Sequence, residues 1–225
     1  MRYQGFIFDM DDTLYCEYDY VYSGFKVVSK LIAQSQKKIT DNIVYQYLID
    51  EWKRNGRGKV FNKVCEKLGI DIDISYLVEA YRYHKPTIQM YDDAKKLLLY
   101  LKHKKVQTGL ITDGHPVAQY NKIKSLGLKK WIDCIIITGI LGEEYYKPSE
   151  VPYKIALNSL GLEAKQCVYI GDNPYKDFIT AKKLGIKTIR VIRPIGDYMH
   201  VKLSSEFEAD IVVYSLTDIM KMNII

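Results

Sequence analysis

Cysteine is sparse in this chain. Its 225 residues hold four, Cys16, Cys65, Cys134 and Cys167. They lie far apart and form no CxxC pair, which argues against a zinc site and a disulfide framework and predicts reduced thiols. Long apolar runs are missing as well: nothing approaches the roughly 18 residues that a membrane helix needs, so no membrane partner is expected. Met1-Arg2-Tyr3 leads straight into an apolar stretch without the layout of a signal peptide, and a cytoplasmic location is expected. Dense basic patches and nucleic-acid motifs are lacking, so nucleic acid is not an expected partner. The net charge of +6 suits anionic small molecules, or lysines scattered over helix faces. Internal repeats and low-complexity linkers are absent. Residues 15–90 contain no convincing strand.

What is present describes an ordinary globular chain, with 48% hydrophobic and 27% charged residues. Its length suits one large domain, or a core with a smaller insert. Phe6-Ile7-Phe8 reads as a buried strand. From about residue 91, apolar β-rich runs (106–112, 134–138, 167–170, 187–192, 211–213) alternate with helical patterns (near 94–101, 116–126, 151–160, 176–184, 216–222). Asp92 or Asp93 is expected to cap the first of these helices, Pro116 to open the second and Gly127 to end it. This alternation predicts an α/β fold, a Rossmann-like, mostly parallel sheet with helices on both faces. Residues 15–90 carry instead about four helical stretches. Phe61, Val64, Cys65 and Leu68 fall at i, i+3, i+4 and i+7, ended by Gly69; Thr40 or Asp41 is expected to cap one helix and Ser75 another. The expected division is a core of 1–14 and 91–225, with an inserted all-helical cap of 15–90 placed as a lid over the end of the first strand.

The strand ends carry the chemistry. "FIFDMDDTLY" (residues 6–15) crowds Asp9, Asp11 and Asp12 into four positions. The second strand closes with Thr112-Asp113-Gly114. Lys147-Pro148 follows the third, and Gly171-Asp172-Asn173 ends the fourth, with Asp177 five residues after Asp172. Singly, each has a plain reading as a turn residue, helix cap or solvated lysine. Together they fall at successive strand ends, and a parallel sheet gathers them at one edge, where such sheets bind ligands. Several carboxylates make a hard-oxygen site that suits Mg²⁺. A hydroxyl, a lysine and free N–H groups at helix starts suit phosphate. A divalent cation makes the acidic crowding tolerable.

On these residues the chain resembles the haloacid dehalogenase-like superfamily, most of whose members are Mg²⁺-dependent phosphohydrolases. Asp9-Met10-Asp11-Asp12-Thr13 is similar to its first motif, DxDxT; Thr112 to the second; Lys147 to the third; and the run from Gly171 to Asp177 to GDxxxxD, the fourth. The insert is similar to the superfamily's helical cap. The resemblance implies Asp9 as nucleophile, forming an aspartyl-phosphate, and Asp11 as general acid and then general base. It implies Mg²⁺ held by Asp9, the Asp11 carbonyl and Asp172. Phosphate oxygens would be held by Thr112, Lys147 and the N–H groups of Asp113 and Gly114, with Thr13 and Asp177 in support. The expected substrate is a small phosphorylated metabolite, with a sugar phosphate preferred over a nucleotide or phosphoglycolate, and the expected state is monomer or homodimer. Alternatives on the same core are a phosphomutase, a phosphonate hydrolase using a cap lysine (Lys26, Lys30, Lys53, Lys59 or Lys63) and a non-catalytic phosphate-binding protein. Asp11 argues against the dehalogenase branch, which lacks an acid there. The shared first strand of the acids argues against a signalling receiver domain.

Overall fold

A computed structural model describes residues 2–36 and 39–225. The chain divides into two compact units, one of Met1–Glu17 with Ile88–Ile225 and one of Tyr18–Thr87.

The larger unit is built on six short strands: β1 (Gly5–Phe8), β2 (Gln107–Thr112), β3 (Cys134–Ile137), β4 (Cys167–Gly171), β5 (Lys187–Val191) and β6 (Ile211–Val213). All pair in parallel, in the order β3-β2-β1-β4-β5-β6. This is the expected Rossmann-like α/β sheet, with helices around it. β1 is central, and Phe8 sits opposite Leu110 of β2 and Ile170 of β4. The strands are apolar because both faces are covered. Helices α7 (Val151–Leu160) and α8 (Ile179–Lys183) bury Tyr153, Ala156, Leu160 and Ala181 with Ile7, Ile111, Ile136 and Tyr169 on one face. Helix α5 (Asp92–His103) packs on β2 and on the last helical turn, while α6 (Pro116–Leu126) packs on β3.

Three local expectations for this unit differ from what is found. Neither Asp92 nor Asp93 caps α5; both lie in its first turn. Asp93 accepts hydrogen bonds from Leu216 N (2.8 Å) and Ser215 Oγ (3.2 Å) and pairs with Arg193, so the fold uses it to pin the C-terminal segment. The helix expected over 176–184 begins only at Ile179. Before it the chain turns back on itself, with the N–H groups of Lys176 and Asp177 both donating to the Asn173 carbonyl. The last segment is a 3₁₀ helix, Leu216–Lys221.

The smaller unit is all helical: α1 (Glu17–Ser35), α2 (Asp41–Asn55), α3 (Val60–Leu68) and α4 (Ile74–Tyr83). Thr40 caps α2 through Ile43 N, and Gly69 ends α3 in the left-handed conformation with φ 62°. Asp73, and not Ser75, caps α4: its carboxylate accepts from both the N–H and the hydroxyl of Ser75. The core joins Val28, Ile32, Val44, Leu48, Trp52, Phe61, Val64 and Leu77. Trp52 packs edge-on against Tyr18, Tyr22 and Phe25, and several of the chain's 20 tyrosines serve this cluster. The four cysteines are free thiols. Among the described residues, no helix is long and apolar enough to cross a membrane.

Candidate active site

Parallel pairing places the ends of β1, β2 and β4 side by side, so the residues that follow them meet. Asp9 is buried directly after β1, its N–H donating to the Ile170 carbonyl of β4 at 2.8 Å. Carboxylate oxygens of Asp9, Asp172 and Asp177 lie within 4.8 Å of one another, and all three residues are buried. Lys147 stands among them. Its fully buried ammonium contacts Asp9 (2.5 Å), Asp177 (2.8 Å) and the Tyr169 hydroxyl (3.0 Å). Burial opposes its charge, but Asp177 and Asp9 outweigh that and hold the ammonium well above its ordinary value.

The three carboxylates are not equivalent. Asp177 is fully engaged: one oxygen accepts from Lys147 and from Tyr169 (3.1 Å), the other from Asn173 N (3.0 Å). Gly171 permits this closeness, since a Cβ there would stand 2.4 Å from an Asp177 oxygen. Asp172 takes no hydrogen bond through its carboxylate from any described residue; its backbone carbonyl accepts from the buried Arg190 Nε at 3.0 Å. Burial first, then Asp9 and Asp177, drive Asp172 well above the ordinary carboxylate range. Burial likewise pushes Asp9 up to about 7, with Lys147 pulling down and Asp177 pushing further up. Two buried, oxygen-only donors that repel one another, relieved only in part by Lys147, fit a hard dication.

Thr112 ends β2, completely buried, and its hydroxyl has no hydrogen-bond partner. A buried hydroxyl left unmatched is costly, and it fits an incoming phosphate oxygen. Gly114 follows with φ +133°, a backbone state that side chains seldom adopt. The Asp113 carboxylate does structural work that sequence did not disclose. It accepts from Lys147 N (3.1 Å), Thr138 Oγ1 (2.9 Å) and Lys176 Nζ (2.8 Å), tying the loops after β2, β3 and β4 together. Burial raises this carboxyl, but Lys147 and Lys176 outweigh it and hold it low. Thr13 is buried; its carbonyl accepts from Arg193 at 2.6 Å.

Asp11 lies apart from the three-carboxylate cluster. One oxygen accepts from Lys122 Nζ (2.7 Å) and from the Tyr15 hydroxyl, the other from Gln119 Nε2 (3.1 Å). Burial raises the Asp11 carboxyl; Lys122 chiefly, helped by Tyr15 and Gln119, outweighs it and holds it below the ordinary value. Tyr15, Gln119, Lys122, Tyr169, Lys176 and Arg190 are thus site residues that sequence reasoning missed. For Gln119 and Lys122 a signal existed: they interrupt the inner stripe Ala118, Ile123, Leu126 of a helix.

Acids thus collect at one edge of an α/β parallel sheet, directly after its central strand. The haloacid dehalogenase-like hydrolase family model matches residues 6–191, and the chain belongs to that family. It is 27% identical over 223 residues to a glyceraldehyde 3-phosphate phosphatase of Methanocaldococcus jannaschii, covering 96% of this chain and 95% of the relative. It is also 27% identical over 238 residues to the enzyme of that name from Pyrococcus furiosus, covering 98% and 93%. In fold it is similar to a crystal structure of a phosphatase from Thermococcus onnurineus, with a TM-score of 0.63 at 20% identity over 98% and 97% of the two chains.

Proposed function

We propose that this hydrolase cleaves a small phosphate monoester, preferably a short sugar phosphate, through an aspartyl-phosphate on Asp9. The observation that carries the reading is Lys147, buried between Asp9 and Asp177 beside the unengaged Asp172 carboxylate. That arrangement serves charge neutralisation around a reacting phosphoryl group. The shared name of the two archaeal relatives supports a triose phosphate as substrate.

An oxygen of Asp9 attacks phosphorus. The bond to the ester oxygen breaks, and its electron pair leaves with that oxygen, which takes a proton from Asp11; the three donors on Asp11 favour its anion, so that proton is brought by the ester, which binds as its monoanion. Water then attacks phosphorus and gives its proton to Asp11 as the bond to Asp9 breaks and phosphate departs. Thr112, Lys147 and the N–H groups of Asp113 and Gly114 hold the phosphoryl oxygens. Asp177 keeps Lys147 in place. Asp9, Asp172 and the Asp11 carbonyl are the groups to hold Mg²⁺, which when bound neutralises charge between the nucleophile and the phosphate. The helical unit Tyr18–Thr87 leaves the chain just after these residues, and we assign it the choice of substrate.

The test is phosphate release from glyceraldehyde 3-phosphate, phosphoserine and other monoesters, with Mg²⁺ or with EDTA, by wild type and Asp9→Asn. Release that requires both Mg²⁺ and Asp9 supports the reading. Release indifferent to Asp9→Asn, or none from any ester, rejects it.

A further inference from the structure

Helix α6 presents an unusual inner face. Alongside Ala118, Ile123 and Leu126 it buries Gln119 and Lys122, at 3% and 4% exposure. Burying an amide and an ammonium inside a helix–sheet interface is costly unless both are matched. The ammonium and the amide nitrogen are both aimed at one acceptor, the Asp11 carboxylate, while the buried amide oxygen has no partner among the described residues. Lys122 Nζ lies 2.7 Å from Oδ1, Gln119 Nε2 lies 3.1 Å from Oδ2, and the fully buried Tyr15 hydroxyl completes the set on Oδ1. Gln119 also donates to the Asp113 carbonyl, so one amide bridges the segments after β1 and β2. Glu17 lies at the edge, 3.9 Å from Lys122. Single ion pairs at protein surfaces hold a carboxyl loosely; three donors on both oxygens fix its direction.

We infer that Lys122, with Gln119 and Tyr15, is a positioning residue that aims the Asp11 carboxyl at the ester oxygen. This rests on the phosphatase reading. Its consequence depends on the leaving group. An alkyl oxygen must receive a proton as the ester bond breaks, whereas 4-nitrophenolate leaves without one. Misaiming Asp11 therefore slows the first and spares the second. The quantity to compare is kcat/KM, which covers steps only through cleavage of the ester bond, before water attacks.

The experiment measures kcat/KM for glyceraldehyde 3-phosphate and 4-nitrophenyl phosphate with wild type, Lys122→Met, Lys122→Arg and Gln119→Leu. Lys154→Met, on the exposed Glu150 pair of α7, is the control. For Lys122→Met a loss of about 10²-fold on the sugar phosphate is expected, the usual size of a general-acid contribution, against less than about threefold on the aryl ester. Lys122→Arg should regain at least about tenfold over Lys122→Met, and Gln119→Leu should show the same selectivity at smaller size. Retained turnover of the aryl ester shows that the variants fold. Equal losses on both esters, or no loss on either, overturn the inference while leaving the phosphatase reading intact. A wild type active on the aryl ester alone also overturns it. A wild type inactive on both removes the phosphatase reading and the inference with it.

Discussion

In the helical unit, Trp52 lies among Tyr18, Tyr22 and Phe25. At the carboxyl edge of the sheet, Lys147 lies among Asp9, Asp177 and Tyr169. Both side chains are buried, and by opposite physics. The aromatic cluster gains free energy from every ring taken out of water. The charged cluster loses hydration and recovers it only through close pairing, and Asp172, with no hydrogen-bonded cation among the described residues, recovers least. Stability is concentrated in the first place and chemical potential in the second. Substitutions should separate the two.

The largest effect is expected at Asp9. Asp9→Asn should lower phosphate release about 10⁴-fold or more while leaving the urea midpoint close to wild type or above it, because a strained buried carboxyl is gone. A variant that both unfolds and loses activity would break the contrast. Lys147→Met should do the reverse of sparing stability. It leaves Asp9 and Asp177 without their cation, which costs about 3–5 kcal/mol, and turnover should vanish as well. Trp52→Ala in the helical unit should cost about 3 kcal/mol through lost burial and the cavity left behind, read by urea denaturation. A change below about 1 kcal/mol would show that the aromatic cluster is not what holds that unit.

Asp172→Asn sharpens the comparison from the other side. In EDTA it should raise the melting temperature by a few degrees, on the order of 1 kcal/mol, since it removes a buried carboxylate repelled by Asp9 and Asp177. Added Mg²⁺ should stabilise wild type and not the variant. A variant less stable than wild type in EDTA would contradict the strain assigned to this site. The smallest effect is expected at Asp93. It is half-buried, and burial raises its carboxyl; Arg193 together with the Leu216 N–H outweighs that and holds it below the ordinary value of 3.8. Its stabilising contribution is therefore present above about pH 4 and lost as pH falls through the lower, folded-state value. The stability gap between wild type and Asp93→Asn should be under about 1 kcal/mol at neutral pH, because the pair is partly screened, and should close in acid. A gap that widens in acid would refute the sign.

The parallel sheet and the gathering of Asp9, Thr112, Lys147, Asp172 and Asp177 were legible because apolar strand patterns end abruptly in residues with chemistry. Strand direction then does the rest. The helices of the smaller unit were legible from spacing, as Phe61, Val64, Cys65 and Leu68 illustrate. What hid was the direction of polar side chains. Lys122 is marked by its place in the inner stripe of its helix, but spacing does not say which acid it meets, and Tyr15 looks like any tyrosine until the loop turns it inward. The late start of α8 hid for a related reason. Asn173 and Asp177 bond to one another across the turn, a local preference that overrides helix propensity. Asp93 looked like a cap, yet long-range partners, Arg193 and Leu216, claimed it.

The strand order has one more consequence, for the chain as it is made. β1 is synthesised first, but one of its two neighbours, β4, is not reached until residue 167. The Asp9 N–H therefore waits for a carbonyl at Ile170. A nascent chain that has emerged only through β3 has its first acids displayed and its helical insert complete, and it still lacks Lys147, Asp172 and Asp177. Such a chain can bury its aromatic rings early, because their partners are near in sequence. The acidic edge therefore assembles only after Asp177 has left the ribosome, whereas the aromatic cluster of the helical unit can close before it.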